Sequence, residues 1–189
     1  MEVVDSTLAE VKFVRLDVIR DERGSFAETY DAVKFAALGI RAPFVHDSWS
    51  LSRNVGTVRG FHFQKPPRAQ HKLVRVTRGR ILDVVVDIRR GSPTFGSHVA
   101  VELSAEKPLS LFVPIGFAHA FCTLEGDTEV TYKMSDHFVP RLYTGLFWAD
   151  PQLAIPWPVK PGTALLSPKD KLHPHLADIE SPFVYRTAV

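Results

Sequence analysis

Four polar side chains fall on segments whose alternation otherwise reads as apolar strand. In Lys72-Leu73-Val74-Arg75-Val76, Lys72 shares a face with Val74 and Val76, and in Glu129-Val130-Thr131-Tyr132, Tyr132 shares one with Val130. His62 sits between Phe61 and Phe63 with Gln64 as its same-face neighbour, and His119 shares parity with Phe117 and Phe121. A lysine on an apolar face has to find a partner, reach water or line a cavity. Singly, each of the four fits an ordinary residue of a two-sided strand; on four separate strands they point to a shared polar lumen. The chemistry such a lumen supports is proton transfer in a cationic, apolar-walled cavity. Other chemistries find less. Cys122, in Phe121-Cys122-Thr123-Leu124, reads as core rather than nucleophile, and Gly91-Ser92-Pro93 is a turn. The chain has neither a G-x-x-x-x-G-K-[ST] loop nor a G-x-G-x-x-G fingerprint, so no nucleotide cofactor is expected.

The elements that must position these groups are short strands. Apolar runs at Thr57 to Gln64, Lys72 to Thr77, Ile81 to Ile88, His98 to Leu103, Leu109 to Val113, Ala118 to Leu124 and Glu129 to Met134 are separated by Gly- and Pro-containing breaks. Val11 to Val18 alternates in part. One helix is expected over Asp31 to Leu38, with Asp31 as N-cap and Gly39 as its stop. Many evenly spaced strands without intervening helices predict a mainly β chain, a jelly-roll β-barrel with short helices. Half of the 14 prolines lie from Pro151 onward. Proline lacks a backbone donor, so 151–189 is expected to wrap a barrel core of about 50–150 as irregular chain, the whole of 1–189 forming one domain.

Composition bounds the partners. The 189 residues carry 23 Lys plus Arg against 21 Asp plus Glu, a net charge of +2, with no basic run. That balance argues against nucleic acid or an anionic membrane as the main partner. The N-terminus has acids where a signal peptide has positive charge, no stretch is long and apolar enough to span a bilayer, and a single cysteine suits a reducing compartment. A cytoplasmic protein is expected.

Pro114-Ile115-Gly116-Phe117-Ala118-His119 has the P-x-G-x-x-H form of the second cupin motif. Where metal-binding cupins carry His-x-His in the first motif, this chain reads His62-Phe63-Gln64. A neutral amide in place of an imidazole removes a good ligand, so no tightly held metal is expected. His173-Pro174-His175 is another His-x-His, expected as a surface feature of the Pro-rich tail.

Val58-Arg59-Gly60-Phe61-His62-Phe63-Gln64 followed by Pro66-Pro67 resembles the R-G-x-H-x-Q-x-P-P signature of the dTDP-4-dehydrorhamnose 3,5-epimerase family. Lys72-Leu73-Val74-Arg75-Val76, the run from Asp87 to Gly96, Pro114 to Phe121, Tyr132-Lys133, Asp150-Pro151 and the earlier Asp21 to Glu28 continue the resemblance in order. It implies a cupin-fold homodimer inverting C3 and C5 of dTDP-4-keto-6-deoxyglucose without a cofactor. By the same resemblance His62 is the base, Asp170 orients it, Lys72 stabilises the enolate oxygen and Tyr132 returns the proton. Arg23 and Glu28, with Phe26 close by, resemble nucleotide contacts reached from the neighbouring subunit; Arg59, His119 and Lys169 resemble pyrophosphate or sugar contacts. Four positions depart from the pattern: His46 and Ser48 stand where amides read the base, Trp49 is larger than expected, and Tyr143 replaces an acid expected to contact the substrate. These departures keep a single-centre epimerase open, with a cupin ketoisomerase or a sugar-binding cupin behind it. Two geometric expectations follow. His62 approaches Asp170 while Tyr132 faces His62 across a cavity, and Arg59, of opposite parity to His62, reaches that cavity only through a bulge at Gly60.

Overall fold

The alternating segments become strands close to where the pattern puts them. The computed structural model describes residues 1–4 and 6–186. Chain order is β1 (Glu2–Val4), β2 (Lys12–Arg15), β3 (Ile19–Asp21), β4 (Gly24–Phe26), α1 (Ala32–Ala37), β5 (His46–Ser52), β6 (Val58–Gln64), β7 (Lys72–Arg78) and β8 (Arg80–Asp87). There follow β9 (His98–Ser104), β10 (Leu109–Val113), β11 (Phe117–Thr123), β12 (Thr128–Met134) and β13 (Tyr143–Gly145), with single 3₁₀ turns at Pro140–Leu142, Asp170–Leu172 and Leu176–Asp178.

Six strands form one antiparallel sheet in the order β1-β2-β10-β7-β12-β5, and five form a second in the order β13-β6-β11-β8-β9. The inner faces meet in an apolar core: Val74, Val76, Leu111 and Val130 of the first sheet against Ile81, Val85, Leu103 and Phe121 of the second. This is the jelly-roll arrangement, but as two open sheets rather than a closed barrel. Closure would require the edges β5 and β13 to pair, and the space between the sheets on that side is a cavity instead.

The sheets also reach outside the 50–150 span expected for the core. β2 pairs with β10, Phe13 opposite Leu111, and so covers an edge that would otherwise expose unpaired backbone. The helix lies on the outer face of this sheet, where Phe35 packs with Val14, Leu16, Ile40, Leu73 and Phe112. Its N-cap is Asp31, whose carboxylate accepts from the Lys34 amide at 2.8 Å, and Gly39 ends it at φ +79°. The Pro-rich tail covers the outer face of the second sheet, setting Leu153, Leu176 and Phe183 against Phe61, Phe63, Val84 and Val86. Residues 187–189 of the expected wrap lie outside the described residues. Among the described residues no helix is long and apolar enough to cross a membrane.

One backbone irregularity positions the site. Along β6 and β11, His62 pairs with His119 and Arg59 with Phe121, so the register shifts between them. Gly60 takes φ +118°, and a β-carbon built there would lie 2.5 Å from the His119 carbonyl oxygen. The bulge reverses parity, which lets Arg59 and His62 line the same cavity. Gly60→Ala is therefore expected to destabilise the fold by about 3 kcal/mol, combining left-handed strain with displacement of β11 backbone. Equilibrium urea unfolding checks this; a loss under about 1 kcal/mol would contradict it.

Candidate active site

One end of the space between the sheets is packed and the other is open, a cavity of about 700 Å³. The six-stranded sheet contributes Ser48, Ser50, Lys72 and Tyr132, and the five-stranded sheet contributes Arg59, His62, His119 and Tyr143. The tail closes it with Leu166, Ser167, Lys169, Asp170 and His173.

Asp170 opens a 3₁₀ turn, its amide donating to the Ser167 hydroxyl oxygen at 3.2 Å, and its carboxylate lies 2.7 Å from His62 Nε2. The carboxylate is buried, which by itself pushes its pKa up. The His173 imidazole close by and the hydrogen bond from His62 more than offset that and hold it well below the usual carboxylate range. A carboxylate only accepts, so His62 Nε2 carries the hydrogen and Nδ1 the lone pair. Burial lowers the His62 pKa and Asp170 partly restores it; the net shift is downward, leaving a neutral imidazole at neutral pH. This is an oriented base.

Lys72 is buried, and its ammonium donates to the His62 carbonyl oxygen at 3.1 Å. Burial brings its pKa down to about 8, with Asp83 acting in the opposite direction. Across the cavity, the Tyr132 hydroxyl lies 3.1 Å from the Ser50 hydroxyl. Burial pushes this phenol above its usual range, and the Ser50 hydrogen bond and Arg59 offset only part of that. The site thus holds a neutral imidazole, a protonated phenol and a cation of reduced pKa.

The other expected residues divide. Arg59 donates from Nε to Ser52 Oγ at 3.0 Å and from Nη2 to the Leu51 carbonyl at 3.1 Å. His46 and Ser48 face each other at 3.2 Å on β5, and Lys169 lies beside Asp170 on the rim. The Tyr143 ring stands 5.0 Å from that of His62, brought there by the pairing of Gly145 with His62. His119 Nε2 is 2.9 Å from both oxygens of Asp83, a buried hydrogen-bond partner. Arg23, Phe26 and Glu28 do not join this set within one chain. They lie on and just after the β3–β4 hairpin, Arg23 pairing with Asp21 and Glu28 with Lys34, and Phe26 is 65% exposed.

The expectation that His173 is a surface feature is corrected. Its Nε2 is 3.6 Å from the Asp170 Oδ1 that also meets His62, and its ring stands edge-on to His62 at 5.9 Å. Two features admit it. The Phe147 amide donates to the Pro174 carbonyl at 2.8 Å, and Gly145 leaves open the space where a β-carbon would come within 2.8 Å of the ring. Only His175 of that motif is half-exposed, 3.5 Å from Asp150. Asp83 was also missed, although its parity with Ile81 and Val85 marked a charge on a core face. The spacing Asp170-x-x-His173, one tight turn, was the available signal for the other. Gln64 serves neither metal nor cavity floor: it donates to the Arg68 and His137 carbonyls and accepts from the Val139 amide at 2.8 Å, tying two loops together. Cys122 is buried and its thiol is raised to about 11, as fits core. Among the described residues, the group able to hold a metal is His62, Asp170 and His173, with ligand atoms all within 4.8 Å of one another.

Comparisons with known proteins bear on this geometry. A family model described as dTDP-4-dehydrorhamnose 3,5-epimerase matches residues 5–178. A protein of that name from Sinorhizobium fredii is 45% identical over 179 residues, covering 95% of this chain and 91% of its own. A crystal structure of the Bacillus anthracis enzyme with TDP and pyrophosphate bound superposes with TM-score 0.89 at 42% identity, covering 92% of this chain and 98% of that one. A dTDP-6-deoxy-D-glucose-3,5-epimerase from Legionella pneumophila in complex with dTDP-4-keto-L-rhamnose gives TM-score 0.92 at 38% identity, with 98% of both chains covered.

Proposed function

The chain belongs to the dTDP-4-dehydrorhamnose 3,5-epimerase family, and on that premise we propose that it inverts C3 and C5 of dTDP-4-keto-6-deoxyglucose in rhamnose-type deoxysugar biosynthesis. The C4 ketone acidifies both neighbouring C–H bonds, because either carbanion delocalises onto oxygen. In the chair of the substrate the C3 and C5 hydrogens are axial on one face, so a single base reaches both. His62 removes the proton, Asp170 fixes its tautomer and stabilises the imidazolium, and Lys72 meets the enolate oxygen. Tyr132 returns a proton from the other face. The observation that carries the reading is the placement of an oriented neutral imidazole and a protonated phenol on opposite sheets of one cavity. Arg59, His119 and Lys169 take the pyrophosphate or sugar, and His46 and Ser48 the nucleotide.

Incubation with dTDP-4-keto-6-deoxyglucose in deuterated water, followed by proton NMR, tests this. Exchange and inversion at both centres are expected. Exchange at one centre selects a single-centre epimerase, the reading that Tyr143 beside His62 favours at a position where the family resemblance expects an acid. Binding without exchange overturns both.

Lys72 sets the alkaline side of the reaction. Its pKa of about 8 means that the cation is present at neutral pH and is lost above about pH 8, so kcat is expected to fall there. Lys72→Met is expected to lower kcat by about 10²–10³-fold and to abolish that limb, which a pH–rate profile reads directly.

The working unit is a homodimer in which the hairpin carrying Arg23 and Phe26, with Glu28, completes the neighbour's site. Its exposed side chains and their distance from the cavity of their own chain support this. His62→Ala and Arg23→Ala proteins, each impaired alone, should recover up to about a quarter of wild-type sites when mixed and allowed to exchange subunits, since each mixed dimer holds one intact site. No recovery would argue against sharing. The protein is assigned to the cytoplasm, in keeping with its lone buried, unbridged cysteine.

A further inference from the structure

We propose that His62, Asp170 and His173 form a reversible binding site for a divalent transition-metal ion such as Zn²⁺, and that an ion held there blocks catalysis. Two separate parts of the chain bring the donors together: β6 supplies His62, and one 3₁₀ turn supplies Asp170 with His173 at its C-cap. The Asp170 carboxylate is buried and already shared, 2.7 Å from one imidazole and 3.6 Å from the other. Two imidazole nitrogens and one carboxylate oxygen suit zinc, cobalt or nickel far better than magnesium or calcium. The fourth position opens onto the cavity, where water completes a tetrahedron.

Little has to move. Zinc–nitrogen and zinc–oxygen bonds are about 2.1 Å, so the His62–Asp170 pair opens and His173 swings inward, each by under about 1 Å. Gly145, lacking a β-carbon, is what lets the His173 ring sit beside Asp170 in the first place. The ion takes the His62 Nε2 position now occupied by the hydrogen shared with Asp170, and that hydrogen passes through solvent to Nδ1, so the imidazole stays neutral with no net release of a proton. With Nε2 metallated and Nδ1 protonated, the ring has no lone pair left, and His62 ceases to act as a base. The Lys72 ammonium, held on the His62 carbonyl, opposes a second cation nearby. Three ligands working against that repulsion make the site reversible rather than a permanent cofactor site.

The inhibitory half of this inference rests on His62 being the base; the binding half does not. Calorimetric titration of the metal-free protein with zinc chloride should show one equivalent bound at this site. His173→Ala should weaken that binding by about tenfold or more, and His173→Asp, which restores a ligand, should recover much of it. His175→Ala, outside the cavity, should bind zinc as the wild type does. Zinc should slow C3 and C5 deuterium exchange, and a chelator should restore it. Absence of saturable binding, or wild-type affinity in His173→Ala, overturns the site. Zinc bound there without slowing exchange overturns the inhibition. A metal-free protein that exchanges neither centre would count against the epimerase reading alone, since calorimetry reads the site without turnover.

Discussion

His62→Ala is expected to lower the rate of deuterium exchange at both C3 and C5 by about 10²–10⁴-fold while leaving the protein folded. The side chain lines a cavity rather than the apolar core, so its loss removes a base without opening a void among packed residues. Exchange is the informative readout because it needs only abstraction and return of a proton, whatever face the proton returns from. Asp170→Asn separates orientation from basicity. The amide oxygen still accepts from Nε2, but the charge that partly restores the His62 pKa against burial is gone. The folded pKa of His62 then falls further below the ordinary histidine value. Its neutral form, the active one, persists to lower pH, so the acid limb of kcat/KM should move down as the maximal rate drops. A limb that moves up, or a His62→Ala protein exchanging at the wild-type rate, would remove this residue as the base.

How far the sequence foretold the site depends on what kind of force placed each residue. Strands β6 to β12 are legible because alternation of apolar residues is itself the cause of their burial. The pairing of Lys72 and Tyr132 with apolar neighbours of like parity marked them as inward-facing, and they are. The short elements β1, β3, β4 and β13 were not read, since each is three residues long and is held by its partner strand more than by its own pattern. Arg59 required a local break in parity, and Gly60 was the residue able to supply it. His173 was misplaced for a different reason. Nothing in a proline-rich tail encodes which sheet it will cover, and its entry depends on a distant glycine that leaves room. Asp170 was reached by resemblance alone, because its contact with His62 spans 108 positions and no local period connects them.

Tyr132→Phe is expected to divide two events that the wild type couples. Phenylalanine keeps the ring's packing against Val74 across the strand pair and loses only the hydroxyl that faces Ser50. Abstraction by His62 should continue, since the imidazole, Asp170 and Lys72 are untouched. The enolate then has no acid on the opposite face, and the imidazolium that took the proton is the nearest donor. Its proton equilibrates with solvent, so deuterium should enter C3 and C5 with retention, while inversion falls by about 10²–10⁴-fold. Burial keeps the wild-type phenol protonated well into alkaline solution, so loss of its proton does not account for the wild-type limb near pH 8. The variant should therefore retain the Lys72 limb in its exchange rate. Proton NMR of recovered sugar reads label and configuration together. If Tyr132→Phe inverts as fast as it exchanges, the acid is another group, with Tyr143 beside His62 as the next to replace. If exchange and inversion vanish together, the hydroxyl acts before or during abstraction, and its assignment to proton return is wrong.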